Sequence, residues 1–193
     1  KDLIAQAQSG TGKTGAFSIG ILNNIDHEKK ELQKLILTPT HELTIQVYNV
    51  INELSKFMDI QVDYLIGKTS INESIEKLKN KPQIIVGTPG RILDMINRKY
   101  LFTQHISSFI CDEADEILSN GFINTIYDIV RTLTKTCQIC LFSATLPDEI
   151  VNLTDSFMNN PETILVNKER LTLDGIQQFY INTINYNWKY ETI

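Results

Sequence analysis

Cysteine is scarce in this sequence, with only Cys111, Cys137 and Cys140 among 193 residues. That excludes the disulfide frameworks of small secreted proteins. Cys137 and Cys140 have the spacing of a redox pair, but Gln138 to Phe142 reads as a buried strand. Three residues of strand span roughly 10 Å, whereas a disulfide needs its Cα atoms within about 7 Å. All three cysteines are therefore expected to be reduced core thiols, as in a cytoplasmic or nuclear protein. Nine glycines and five prolines are too few for a collagen-like or linker-type chain. No apolar run reaches the roughly 18 residues of a membrane-spanning helix, so no membrane partner is expected. Positive charge is also short. Eighteen lysines and arginines stand against 23 aspartates and glutamates, a net charge of −5. A generally basic nucleic-acid-binding surface is excluded, and any such ligand must be held by a local site against the overall field.

What remains is an ordinary globular composition, 42% hydrophobic and 21% charged. Short apolar runs recur at Leu3–Ala5, Lys34–Leu37, Val62–Ile66, Ile84–Val86, Phe109–Cys111, Ile139–Phe142 and Thr163–Val166. Runs without polar alternation fit strands buried on both faces. Between them lie helical patterns. Leu43, Val47, Val50, Ile51 and Leu54 form one apolar stripe, and Ser70 with Glu73 reads as a capping box opening a helix through Leu78. Pro147 is expected in the first turn of a helix capped by Thr145. Strand-helix alternation predicts an α/β fold with a doubly wound parallel sheet, whose ligands bind at the carboxyl ends of the strands.

The loop after the first strand, Ala7-Gln8-Ser9-Gly10-Thr11-Gly12-Lys13-Thr14, has the phosphate-loop pattern with alanine in place of its first glycine. Gly10 and Gly12 let backbone amides wrap an anion, and the following helix turns its positive end toward it. Lys13 offers a charge to the β- and γ-phosphates and Thr14 a hydroxyl to Mg²⁺. The run Phe109-Ile110-Cys111 ends in Asp112-Glu113-Ala114-Asp115. There Asp112 is a candidate Mg²⁺ ligand, and Glu113 can orient and deprotonate an attacking water. A solvated acidic turn or a glycosidase carboxylate pair would leave unexplained why these acids follow a buried strand in a chain with a phosphate loop. ATP and Mg²⁺ are the expected cofactors, with Glu113 and Lys13 catalytic. His27 and His105 have no partner at metal-ligand spacing.

Asp112-Glu113-Ala114-Asp115 also spells the signature of the DEAD-box RNA helicases, and the sequence resembles that family along nearly its whole length. Ala7–Thr14, Pro39-Thr40-His41-Glu42-Leu43, Gly67-Lys68, Thr88-Pro89-Gly90-Arg91 and Ser143-Ala144-Thr145 match its motifs in order. Asp112–Leu118 followed by Gly121-Phe122, and Leu171–Ile176, are most similar to the initiation factor 4A group.

The resemblance implies a RecA-like doubly wound sheet over residues 1–167, followed at 168–193 by a linker and the first strand of a second RecA-like domain. It also implies an adenine-reading segment upstream of Lys1. The chain, which opens on Lys1 and closes on Glu191-Thr192-Ile193, reads as a piece of something longer. Phe179, Tyr180 and Trp188 are expected to lack their packing partners. The implied activity is an ATP hydrolase that binds single-stranded RNA and separates short duplexes, in translation initiation or mRNA processing. It would be nearly inactive without the second domain and would work with protein activators. Pro39, Thr40, His41, Gly67, Lys68, Thr88, Gly90 and Arg91 would face RNA. Asp115 would bond Ser143 or Thr145 and couple hydrolysis to RNA. Two positions depart from the family. His41 stands where arginine is usual, and Lys68 where a second glycine is usual, which suggests a relocated positive charge. An ATP-gated RNA clamp that nucleates a ribonucleoprotein complex shares the same motifs. A phosphate-loop ATPase acting on DNA or protein fits the first loop alone.

Overall fold

The computed structural model describes residues 1–8, 10–146, 154, 156–165 and 179–181. The expected helix start at Pro147, the linker with its following strand, and Trp188 lie outside the described residues. Phe179 and Tyr180 are exposed.

Seven strands form one sheet in the order β3-β4-β2-β5-β6-β1-β7. They are β1 (Leu3–Gln6), β2 (Lys34–Leu37), β3 (Val62–Leu65), β4 (Ile84–Gly87), β5 (Ser108–Cys111), β6 (Gln138–Ser143) and β7 (Glu162–Ile164). Every pairing is parallel, with Leu35 opposite Ile85 on one side and Phe109 on the other. The helices between them are α1 (Lys13–Asn23), α2 (His41–Leu54), α3 (Ile71–Lys79), α4 (Pro89–Asn97), α5 (Ala114–Ser119) and α6 (Ile123–Val130). This is the doubly wound parallel α/β sheet that the alternation predicts, in the RecA-like form that the resemblance implies.

Successive strand residues point to opposite faces, and both faces are apolar. Leu35, Leu37, Ile85, Phe109 and Leu141 pack in one core with Ile92, Met95 and Ile126 of α4 and α6. Ile36, Ile84, Val86, Ile110 and Phe142 pack in the other with Phe17, Ile21, Val47 and Ile51 of α1 and α2. Two buried faces are the physical reason for the unbroken apolar runs. The last run behaves differently. Thr163 and its neighbours were expected to be buried, but β7 is exposed along its length because it is an edge strand paired only with β1.

Local signals set the helix starts. Thr40 Oγ1 accepts from Leu43 N at 3.2 Å and opens α2, Ser70 Oγ accepts from Glu73 N at 3.1 Å and opens α3, and Pro89 occupies the first turn of α4. The cysteines are free and buried, and burial pushes the Cys137 and Cys140 thiols up to about 12 and about 11. Among the described residues, no helix is long and apolar enough to cross a membrane.

Gly87, at the end of β4, fixes how closely α4 approaches the sheet. A Cβ there would lie 2.6 Å from Ile92 Cδ1 and 2.9 Å from the Leu65 carbonyl oxygen. Gly87→Ala should therefore destabilise the fold by about 1–3 kcal/mol, read as a lower urea midpoint at unchanged slope.

Candidate functional site

The carboxyl ends of β1, β2, β4, β5 and β6 lie along one edge of the sheet, and the motif residues follow them. After β1, Ala7 N donates to the Ser143 carbonyl at 3.0 Å, which ties the phosphate loop to the end of β6. Gly10 and Gly12 have φ of 79° and 97°, and a Cβ on either would meet no heavy atom within 4 Å. Backbone conformation, not crowding, therefore demands glycine at both. Gly12 caps α1, so the helix opens directly from the loop. Thr11 N reaches back to the Gln8 carbonyl at 3.4 Å, and Thr14 is half-buried in the first turn of α1. Ser9 lies outside the described residues.

Lys13 is the first residue of α1, and its side chain is 6% exposed. The ammonium donates to the Ala7 carbonyl at 2.9 Å and to Glu113 Oε2 at 3.1 Å. β6 lies between β1 and β5 in the sheet, so this ion pair spans one strand. Glu113 adopts the left-handed region at φ 50°, costly for a side chain with a Cβ, at the start of α5. Asp112 is 4% exposed; its N–H donates to the Leu37 carbonyl at 2.9 Å, and its Oδ1 accepts from Glu113 N at 3.1 Å. Burial, and then the neighbouring Glu113 charge, push the Asp112 carboxyl up to about 6, against the pull of Lys13. A buried carboxylate this short of positive charge fits a divalent cation. Among the described residues, no three His, Cys, Asp or Glu side chains gather to hold a metal. The buried Asp112 carboxylate and the Thr14 hydroxyl in the first turn of α1 are oxygen donors of the kind Mg²⁺ takes alongside water and phosphate.

Asp115 joins the acidic strand end to β6. Its N–H donates to Ser143 Oγ at 3.2 Å, and its Oδ2 accepts from Thr145 N at 3.0 Å and Thr145 Oγ1 at 2.7 Å. Burial pushes the Asp115 carboxyl up, but the bonds from Thr145 and Ser143 outweigh it and hold it below the usual carboxylate range.

A second cavity, of about 550 Å³, opens beside this centre and is lined by Pro39, Thr40, His41, Gly67, Lys68, Thr88, Gly90 and Arg91. The N-termini of α2 and α4 both face it, through Thr40 and through Thr88-Pro89-Gly90. Thr88 makes no capping bond with its side chain, and Thr40 Oγ1 accepts from Leu43 N and also bonds the Glu42 carboxylate within α2. Lys68 Nζ stands 4.0 Å from Glu42 Oε1, both side chains well exposed.

Arg91 lines this cavity with its guanidinium bonded into the protein. It is 9% exposed, and both terminal nitrogens are committed to protein. One bonds Thr69 Oγ1, the Ser70 carbonyl and Ser74 Oγ; the other bonds the Gly67 and Thr69 carbonyls. Arg91 holds the Gly67–Ser70 loop against α4 and shapes the cavity wall from behind. The cavity also includes Glu42, Asp94 and Phe122, which sequence reasoning did not assign to it. Glu42 lies inside the Pro39–Leu43 motif and Phe122 directly follows Gly121 in a stretch of family likeness, whereas nothing local marks Asp94.

A third cavity, of about 570 Å³, runs from Thr11, Gly12 and Lys13 along α1, past Phe17, Ile21, Phe142 and Ile164. The phosphate loop marks one end of it, and no local motif marks the rest, whose walls come from α1 and four strands.

The profile of the DEAD/DEAH box helicase family matches residues 1–153. The chain is 49% identical, over all 193 residues, to the ATP-dependent RNA helicase eIF4A of Debaryomyces hansenii, and spans 49% of that relative's length. Among solved structures it is similar to a DEAD box protein of Methanococcus jannaschii, at TM-score 0.83 and 38% identity, over 99% of this chain and 51% of that one. It is also similar to Saccharomyces cerevisiae Dbp5 bound to RNA and ADP BeF3, at TM-score 0.82 and 35% identity, over 92% of this chain and 45% of that one. With the phosphate loop and the acidic strand end in place on a parallel sheet, the chain belongs to the DEAD/DEAH box helicase family.

Proposed function

We propose that this chain carries the ATP-binding and part of the RNA-binding surface of an ATP-dependent RNA helicase of the initiation factor 4A type, working in the cytoplasm. The observation that carries this reading is convergence at one sheet edge. Lys13, Asp112 and Glu113 form one centre, and Asp115 ties it to Ser143 and Thr145. A cavity walled by two helix N-termini lies alongside. Helix N-termini and loop amides favour phosphate without reading base identity, which suits single-stranded RNA held by its backbone. The relatives it matches are about twice its length. Closure of a second RecA-like domain over both ligands, and help from protein activators, are therefore part of the proposal.

Bound Mg-ATP would supply the phosphoanhydride bond that is cut and the metal charge that polarises it. The residues here would do the rest. Gln8 to Gly12 would cradle phosphate with backbone amides, and Lys13 would exchange Glu113 for phosphate oxygens. Thr14 and Asp112 would hold Mg²⁺. Glu113, relieved of Lys13, would take a proton from the attacking water on its carboxylate. Asp115 would pass the state of the β5 end to Thr145 on the end of β6. Thr40, Thr88 and Gly90 would hold RNA phosphates, and Lys68 would add the permanent charge of the cleft.

The decisive measurement is ATP hydrolysis by the full-length protein with and without single-stranded RNA. RNA but not DNA should stimulate it, and Glu113→Gln should lower the stimulated rate by about 10²–10⁴-fold. Equal rates with and without RNA would overturn the helicase reading.

Asp112 makes a separate prediction about stability without metal. Its folded-state value near 6 lies above the ordinary 3.8, so the folded state binds that proton more tightly than the unfolded state does. Stability is then lost as pH rises from about 4 to about 6, by roughly 3 kcal/mol in all. Asp112→Asn should raise the melting temperature in EDTA at pH 7.5 while leaving it little changed at pH 4, as it removes Mg-ATP binding.

For Arg91, charge and geometry can be separated. Arg91→Lys keeps the charge but not the fork that spans Gly67–Ser74. It should lower RNA affinity nearly as far as Arg91→Ala and destabilise the domain by about 2 kcal/mol. Native affinity in Arg91→Lys would show instead that the charge acts directly.

A further inference from the structure

His41 is the first residue of α2 and stands half-buried at the RNA cleft. Its Nε2 lies 3.6 Å from where a Cβ on Gly67 would sit, so the imidazole spans from α2 to the loop after β3. No hydrogen bond or ion pair to its ring is formed among the described residues, although hydroxyls and carbonyls crowd the same cavity. The charged groups that line this cavity with it are Glu42 on its own helix, Lys68 on the loop after β3, and Arg91 and Asp94 on α4. All four of these have partners, and the Glu42 carboxylate, the nearest acid on the same helix, also feels the His41 charge. Arg91 is locked into the loop, Asp94 Oδ1 accepts from Arg98 Nε at 2.7 Å, and Lys68 leans toward Glu42 at 4.0 Å. An imidazolium would sit between two helix N-termini, where a positive charge has no helical partner but a phosphate oxygen does.

We infer that His41 is a proton-dependent phosphate ligand, which adds a second mobile cation beside Lys68 when charged and leaves Lys68 alone when neutral. The inference rests on the reading of this cleft as an RNA site. Imidazole is the side chain that ordinarily changes charge between about pH 5 and 8. A charged donor to phosphate forms a shorter and stronger bond than a neutral one. RNA binding then takes up a proton at His41. Affinity is highest where the ring is charged in the complex and falls as pH rises through that range. An arginine at this position would supply the same bond at every pH, so the histidine converts a constant contact into a titratable one.

The test is the affinity of the full-length protein for a labelled, unstructured single-stranded RNA, read by fluorescence anisotropy with Mg²⁺ and a non-hydrolysable ATP analogue. Native protein should bind about five- to tenfold tighter near pH 5.5 than near pH 7.5, the span that uptake of one proton by an ordinary imidazole gives over this range. The salt slope at the lower pH should steepen by roughly 0.7, the value of one added phosphate contact on a single strand. His41→Gln should bind weakly with a flat profile, and His41→Arg should bind at both pH values as the native protein binds at the lower. His41 is exposed enough that both variants should fold, and thermal unfolding checks this directly. Titration of the nucleotide or of Asp112 would act equally in all three proteins. A pH response in His41→Gln equal to the native one would therefore overturn the inference while leaving the RNA site intact. No RNA binding by any of the three at either pH would instead remove the RNA reading on which the inference stands.

Discussion

The ion pair between Lys13 and Glu113 is the contact around which the site is arranged. It joins the loop after β1 to the end of β5 across the strand between them, with a side chain that is 6% exposed. Burying an ammonium and a carboxylate is costly unless each finds a partner. Here each finds the other, and Lys13 also takes the Ala7 carbonyl. Glu113 reaches it from a left-handed backbone, a strain the surrounding packing sustains. Asp112, next in the chain, is left short of positive charge as a result. The site is thus internally neutralised at Lys13 and under-neutralised at Asp112. In the proposed reading, a ligand that brings both an anion and a divalent cation would answer both at once, with phosphate oxygens at Lys13 and the metal at Asp112.

The same strand ends explain how two ligands could sense each other. Thr145 gives two hydrogen bonds to one oxygen of Asp115, and Ser143 accepts from the Asp115 N–H. Ser143 in turn accepts from Ala7 N through its carbonyl, so the end of β6 touches the phosphate loop and the acidic turn together. A shift at Glu113 and Asp115 on nucleotide exchange therefore has a short, rigid route to neighbouring loops. No long-range pathway is needed, since the parts stand on adjacent strands.

Much of this was legible in the sequence, and the reasons differ by element. β2, β4, β5 and β6 announced themselves because burial on both faces keeps their centres apolar, with the buried polar residues Lys34, Ser108 and Ser143 at their ends. The phosphate loop and the acidic strand end were legible because their chemistry needs fixed residue types at fixed spacing. Capping at Thr40 and Ser70 was equally local. Three features escaped for one shared reason, their dependence on distant contacts. β7 has an apolar run like the others, but its exposure follows from its place at the sheet edge. The protein bonds of Arg91 were not legible because its partners lie 17 to 24 residues back along the chain. Asp94 and Phe122 join the cleft only through the packing of α4 beside α6.

A chain with net charge −5 can hold a polyanion only if the attraction is local and well directed. The cleft meets that condition with few side-chain charges. Two helix N-termini open on it, from α2 and α4, and their first-turn amides have no partners within the helix. Arg91, the arginine that could have met phosphate directly, serves to hold the loop that completes the wall. Attraction by fixed dipoles differs from attraction by lysines in one measurable respect. Counterions condensed on the RNA are released where a full cationic charge neutralises a phosphate, and a helix end carries only a partial charge, so dipoles add affinity with little addition to the salt slope. RNA binding here should therefore depend on salt far less than a basic groove would, and the side-chain charges that do contribute, Lys68 and a protonated His41, should account for most of the dependence that remains.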